Sequence, residues 1–266
     1  MMCALLLLLL FVGQSSQQTA ADLYQKANAL FQQQQYEQSL AAVAEALRVN
    51  PRFVPALVLK ARLALAANRF DVAKTSLRQA VEREPNSASA QFLLGFVLYL
   101  ENDFAGALEP LRQAARLQPD DARTQFYLAL TFEGLGRTDD AIAGYERALK
   151  LNKAGGAQLA DTLVAYARLL FTLGRYDESE GLIDRALVIE PAARDVQYEK
   201  GRLRLERRDF AAAIKHGRKA LELPDVGTTE RQIHYLLARA FLQAGQKELA
   251  ELHLAKFRAA PPTLRR

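Results

Sequence analysis

A recurrence of 34 residues restricts this chain more than any other feature. A segment that short cannot enclose a core of its own and must bury its apolar side against copies of itself. Pro51, Pro85 and Pro119 stand 34 residues apart, and Pro191 follows 72 later. Aligned on them, the sequence falls into seven rows: 20–53, 54–87, 88–121, 122–155, 160–193, 194–227 and 231–264, with extra residues at 156–159 and 228–230. Small residues hold the eighth place: Ala27, Ala61, Gly95, Ala129, Ala167, Gly201 and Ala238. They hold the twentieth: Ser39, Ala73, Ala107, Ala141, Ser179, Ala213 and Ala250. Ala46, Ala80, Ala114, Ala148, Ala186 and Ala220 hold the twenty-seventh, and Phe257 departs from the series.

Each row contains two stretches with apolar residues at i, i+3 or i+4, the signature of amphipathic helices, here called A and B. A short polar turn and an aromatic separate them: QQQY, ANRF, ENDF, LGRY and RRDF. Abundant alanine and leucine with sparse glycine favour helix through local propensity. The small places have a steric role, since antiparallel helices approach closely only where the crossing side chains are short. The prolines end helix B, because proline lacks an N–H and pushes its predecessor out of helical geometry. Pro110 is the exception, expected inside a helix near its start, where proline is tolerated.

The period, the small residues at places 8, 20 and 27, the aromatic at 17 and the proline at 32 resemble the tetratricopeptide repeat (TPR) family. The resemblance covers residues 20–264 and implies an all-α fold, an α-α superhelix or TPR solenoid of about seven antiparallel helix pairs. It further implies a right-handed array with helix A on the concave side. Lys153 and Asp225 depart from the proline, Thr138 and Lys247 from the aromatic, and no row has the family's tryptophan. Leu254 and Phe257 on the last helix offer an uncapped end, a candidate homodimer contact.

Residues 1–19 read as a signal peptide: Ala4–Val12 is nine apolar residues, short of the ~20 that span a bilayer, and a small polar segment follows. No Lys or Arg precedes the run. Removal of this segment would leave no membrane span and no cysteine, since Cys3 is the only one, which suits an oxidising compartment such as a periplasm or cell envelope. The net charge of +5 is mild and interspersed, which argues against a nucleic-acid partner. The stretch 200–219 concentrates eight Lys and Arg against two acids, but these spread around two helices, as on a solvated face or one that meets an acidic protein patch.

Nothing in the chain has the spacing of a catalytic or metal centre. His216, His234 and His253 fall in three different helices, and His234 takes a place where the resemblance implies an aromatic, so packing is its expected role. No zinc spacing, phosphate loop or nucleophile elbow is present, so neither an enzyme nor a cofactor is expected. The expected functional surface is the groove lined by helices A. Places 5, 9 and 12 give an aromatic patch of Phe92, Phe96, Tyr99 and Phe126 in the middle rows. In the later rows they give an arginine ladder, Arg168, Arg202 and Arg239, beside Tyr198 and Tyr235, and in the first rows Tyr24, Asn28 and Arg62. Aromatics and arginines in a concavity dominate binding hot spots, each worth about 2 kcal/mol or more when buried. The carboxylate clamp of cochaperone TPR proteins is not matched: Asn28 fits it, but Tyr24, Leu59, Ser89 and Leu93 do not. The expected function is a non-catalytic scaffold binding a peptide or helix of a protein partner in cell-envelope assembly or secretion. A receptor for a small ligand or glycan and a self-associating structural protein are the rival readings.

Overall fold

The computed structural model describes residues 19–152, 155–224 and 228–260. The expected signal peptide with Cys3, the departures Lys153 and Asp225, and the last residues of the seventh row lie outside them. Contacts gather into two compact units, Met1–Ala141 and Ile142–Arg266, dividing within the fourth row.

The first unit holds α1 (19–32), α2 (Tyr36–Val49), α3 (Val54–Ala66), α4 (Phe70–Arg83), α5 (Ala88–Leu100), α6 (Phe104–Leu117) and α7 (Ala122–Gly134). The unit boundary falls inside α8 (Thr138–Leu151). The second unit continues with α9 (Ala157–Thr172), α10 (Tyr176–Ile189), α11 (Arg194–Glu206), α12 (Phe210–Glu222), α13 (Glu230–Gln243) and α14 (Lys247–Ala259). The fold class is the expected all-α, α-α superhelix kind, with no strand among the described residues. Pairs form in sequence, α3 on α4 and α5 on α6 in one unit, α9 on α10, α11 on α12 and α13 on α14 in the other. Within each unit helix A also touches the next helix A (α3 with α5, α5 with α7; α9 with α11, α11 with α13), which puts the A helices on the inner side.

The punctuation follows the backbone chemistry. Asn50, Glu84, Gln118 and Glu190, each just before a row-ending proline, sit at φ between −130° and −134° with ψ between 74° and 95°, extended as that proline requires. At the other turn the fifteenth residue of every row is left-handed: Gln34, Asn68, Asn102, Gly136, Gly174, Arg208 and Gly245 have φ of 55–77°. The next N–H then reaches back to the carbonyl at place 11, as in Asp103 to Leu98 and Gln246 to Phe241, both 2.9 Å, closing a Schellman cap on each helix A. Pro110 departs from the expectation: it is the seventh residue of α6, beyond the first turn, and the helix runs on through it to Leu117.

The small places are all buried. Where serine replaces alanine at place 20, its hydroxyl is satisfied across the pair: Ser39 donates to the Ala27 carbonyl and Ser179 to the Ala167 carbonyl, each at 2.8 Å. Glycine at place 8 marks the tightest crossing, for a Cβ on Gly95 would lie 2.5 Å from Leu111 Cγ. Neighbouring rows lock through place 4, where the Gln91 and Gln197 side chains donate to the carbonyls of Pro85 and Pro191 at 2.8 and 2.7 Å.

Candidate functional site

The residues singled out by sequence fall on both units. In the first unit Tyr24 packs edge-on against Phe53 at 5.8 Å, and Arg62 lies over the Phe31 ring at 4.4 Å. Asn28 is half-buried on α1. Phe92, Phe96, Tyr99 and Phe126 do come together, and they do so around a residue the sequence reasoning passed over. Tyr127 has their ring centroids at 5.8, 4.8, 5.6 and 5.2 Å. Phe92 is buried beneath the Arg123 guanidinium, 4.2 Å from its ring, so it belongs to the core more than to a surface.

The second unit contains an open cavity of about 530 Å³ on the inner side of α9, α11 and α13. Arg168, Tyr198, Arg202, Tyr235 and Arg239, all expected from the sequence, line it together with Phe171, Leu205, Gln232 and Leu236. At its floor is a group the sequence reading missed. Glu199, with a side chain only 5% exposed, accepts from Arg168 Nε at 2.7 Å through one oxygen and from Arg202 at 2.7 Å through the other. Burial disfavours the charge on Arg168, but the adjacent Glu199 and Asp195 outweigh it and hold its pKa above the ordinary value. Arg202 also covers the Phe171 ring at 4.1 Å. Burial raises the pKa of the Tyr198 hydroxyl, so it enters any contact as a neutral donor.

Arg239 differs from the other two. Its guanidinium is half exposed and meets Glu206 at 3.5 Å, longer than a good charge-assisted hydrogen bond. Tyr235 is exposed on one side and backed on the other by Phe257 at 5.2 Å, itself capped by Arg231 at 4.4 Å. Phe257, expected at an uncapped end, therefore packs inward. Thr228, 2% exposed, lines the same cavity with a hydroxyl that has no hydrogen-bond partner among the described residues.

The two missed residues share a register. Tyr127 and Glu199 both occupy place 6, held in the other rows by Gln25, Leu59, Leu93, Ala165 and Leu236. The signal was present: Glu199 is the only acid at this place, and it stands three residues before Arg202, the spacing of an ion pair on one helix face.

The basic stretch 200–219 also separates. Lys200 binds Glu180 and Asp184 at 2.8 and 2.5 Å, Arg204 binds Glu180 at 2.6 Å, and Arg207 pairs with Asp177, so these three cations are matched by acids of α10. Lys215, Arg218 and Lys219 remain exposed on α12. His234 and His253 are buried side by side, Nδ1 to Nδ1 3.0 Å, and His253 stacks on Phe241, the packing role expected of His234. Among the described residues no group of three or more His, Cys, Asp or Glu could hold a metal ion, and no helix is long and apolar enough to cross a membrane.

No curated protein sequence matches this chain. Among solved structures it is similar to that of PilF from Pseudomonas aeruginosa, with TM-score 0.68 and 18% identity over 78% of this chain and 93% of that one. It is similar to a tetratricopeptide repeat protein from Parabacteroides merdae, with TM-score 0.70 and 15% identity over 93% and 95%. It is also similar to YrrB, described as a TPR protein with an unusual peptide-binding site, with TM-score 0.53 and 20% identity over 81% and 98%. At these identities the likeness is one of fold. A model of the tetratricopeptide repeat matches residues 24–65, 58–122, 101–157 and 164–226, more than half of the sequence, and the chain belongs to that family.

Proposed function

We propose that this protein is a non-catalytic scaffold that holds an extended segment of a partner protein in the cavity of its second unit, in an exported, cell-envelope setting. The observation that carries this reading is the composition of that cavity: Tyr198, Tyr235 and Phe171 beside three arginines in about 530 Å³ of open concave space. Tyrosine and arginine in a partly desolvated hollow are the side chains that supply most binding energy in protein interfaces. The name of YrrB, which refers to a peptide-binding site, agrees with this reading.

Panning a displayed random-peptide library on the purified protein tests it. Enriched peptides should bind in solution and lose about tenfold or more in affinity to Tyr235→Ala. Absence of any enriched binder, or binders indifferent to Tyr235→Ala, would refute it. A small-ligand or glycan receptor draws on the same volume, which lies in the range of roughly 300–1,000 Å³ typical of ligand pockets. A glycan array with no peptide enrichment would favour that reading. Export is tested by N-terminal sequencing of the mature protein, where an intact Met1 on a cytoplasmic product would end it. Light scattering tests self-association, for which a monomer is the excluding result.

A further inference from the structure

From the charges in this cavity we infer that it reads a single carboxylate on its peptide, that Arg239 is the residue that reads it, and that Glu199 is an internal substitute ligand denying the other two arginines to the partner. The inference rests on the peptide-binding reading above and goes further by naming the chemistry of the bound segment.

The three arginines are not equivalent. Arg168 and Arg202 each make a 2.7 Å bond to Glu199, and Asp195 lies 3.9 Å from Arg168. Two guanidiniums thus face two carboxylates, and the buried one is engaged through both oxygens. A partner's carboxylate arriving there would have to displace Glu199 and leave it charged, buried and unpaired, a large penalty. Arg239 presents no such obstacle. Glu206 stands 3.5 Å away with a side chain 32% exposed, so it can turn into water when another carboxylate replaces it. Tyr235 and Leu236 adjoin Arg239 on α13 and Leu205 faces them from α11, so the acid should be flanked by an apolar or aromatic residue. A doubly charged group such as phosphate gains little over a carboxylate here, because only one arginine is available to it.

The test uses the full chain and peptides enriched by panning, synthesised in three forms that differ at the acidic position: glutamate, glutamine and phosphoserine. Fluorescence polarisation should give wild type a preference of about fivefold for glutamate over glutamine, with phosphoserine no better than glutamate. Arg239→Gln should bring that preference to about one while binding of the glutamine peptide is retained. Glu206→Gln, at an exposed position, should strengthen binding of the glutamate peptide by about two- to fivefold. Glu199→Gln should release Arg168 and Arg202 and invert the preference, so that phosphoserine exceeds glutamate by about tenfold. A merely structural Glu199 would weaken all three peptides together. Peptides that bind with no acid preference, or a preference that survives Arg239→Gln, overturn this inference while leaving peptide binding intact. A failure to bind any peptide overturns both. If Glu199→Gln melts early and cannot be titrated, Arg239→Gln and Glu206→Gln decide alone.

Discussion

Gly95 gives the sharpest test of the idea that small residues at fixed places set how closely the helices pair. A Cβ built there meets Leu111 Cγ at 2.5 Å, Leu111 Cδ2 at 3.0 Å and the Ala107 carbonyl oxygen at 3.1 Å. Cγ is the branch point of a buried side chain, so the clash cannot be relieved by swinging a free end aside. Gly181, in α10, is also inside a helix, and a Cβ there meets nothing within 4 Å. The same chemical change at both sites gains the same intrinsic helix propensity, about 1 kcal/mol. Gly181→Ala should therefore stabilise by about 1 kcal/mol. Gly95→Ala carries the same gain against an overpacking cost of roughly 1–3 kcal/mol. The second row has Ala61 and Leu77 at these two places, so the pairing adapts and the lower half of that range applies. The expected net effect runs from about zero to a loss of about 1 kcal/mol, which places the two variants about 1–2 kcal/mol apart. Urea titration followed by circular dichroism measures this, provided the slope with denaturant is unchanged. Equal responses from Gly95→Ala and Gly181→Ala would refute the steric argument.

Arg208→Gly should stabilise by about 0.5 kcal/mol in the same assay, because a left-handed L-residue costs about 1–2 kcal/mol against about 0.5–1 for the freedom of glycine, which already fills this turn at Gly136, Gly174 and Gly245. Tyr127→Ala should cost about 2 kcal/mol and reduce the near-ultraviolet dichroism, while Tyr127→Phe keeps most of both, since the loss is of ring packing against four aromatics. Stability of the α13–α14 pair should fall on acidification. Burial and the neighbouring His234, Lys256 and Arg218 depress the His253 pKa to about 4, and burial also lowers that of His234 despite Glu230. The unfolded chain then binds more protons than the folded one between the ordinary histidine range and about 4, so the contribution is complete above that range and lost as pH falls through it. Urea midpoints between about pH 7 and 5 should decline for wild type and decline less steeply for His253→Gln, in which His234 and His216, also lowered by burial, still contribute. A midpoint that is constant across the window would remove the histidine pair as the cause.

The fold was legible because its determinants are local and repeated. Proline fixes the extended residue before it, and the places with no room for a side chain return every 34 residues, so seven rows report the same constraint. Pro110 was misjudged by position within its helix: it is the seventh residue of α6, past the first turn where a missing N–H costs nothing. The site was legible only in part, and for a physical reason. Choosing inner-face places from the repeat located Arg168, Arg202 and Arg239, but a repeat describes one row at a time. The partner of Arg168 is Glu199, 31 residues away on the next helix A. Whether an arginine is available depends on that neighbour's carboxylate, and the three members of the ladder have identical places in their own rows. What separates them is the adjoining residue at place 6: an acid beside Arg202, and leucine beside Arg239. A cation held by an internal carboxylate is thus marked partly within a row, by Glu199 three residues before Arg202, and partly between rows, where only the packed helices bring Glu199 to Arg168.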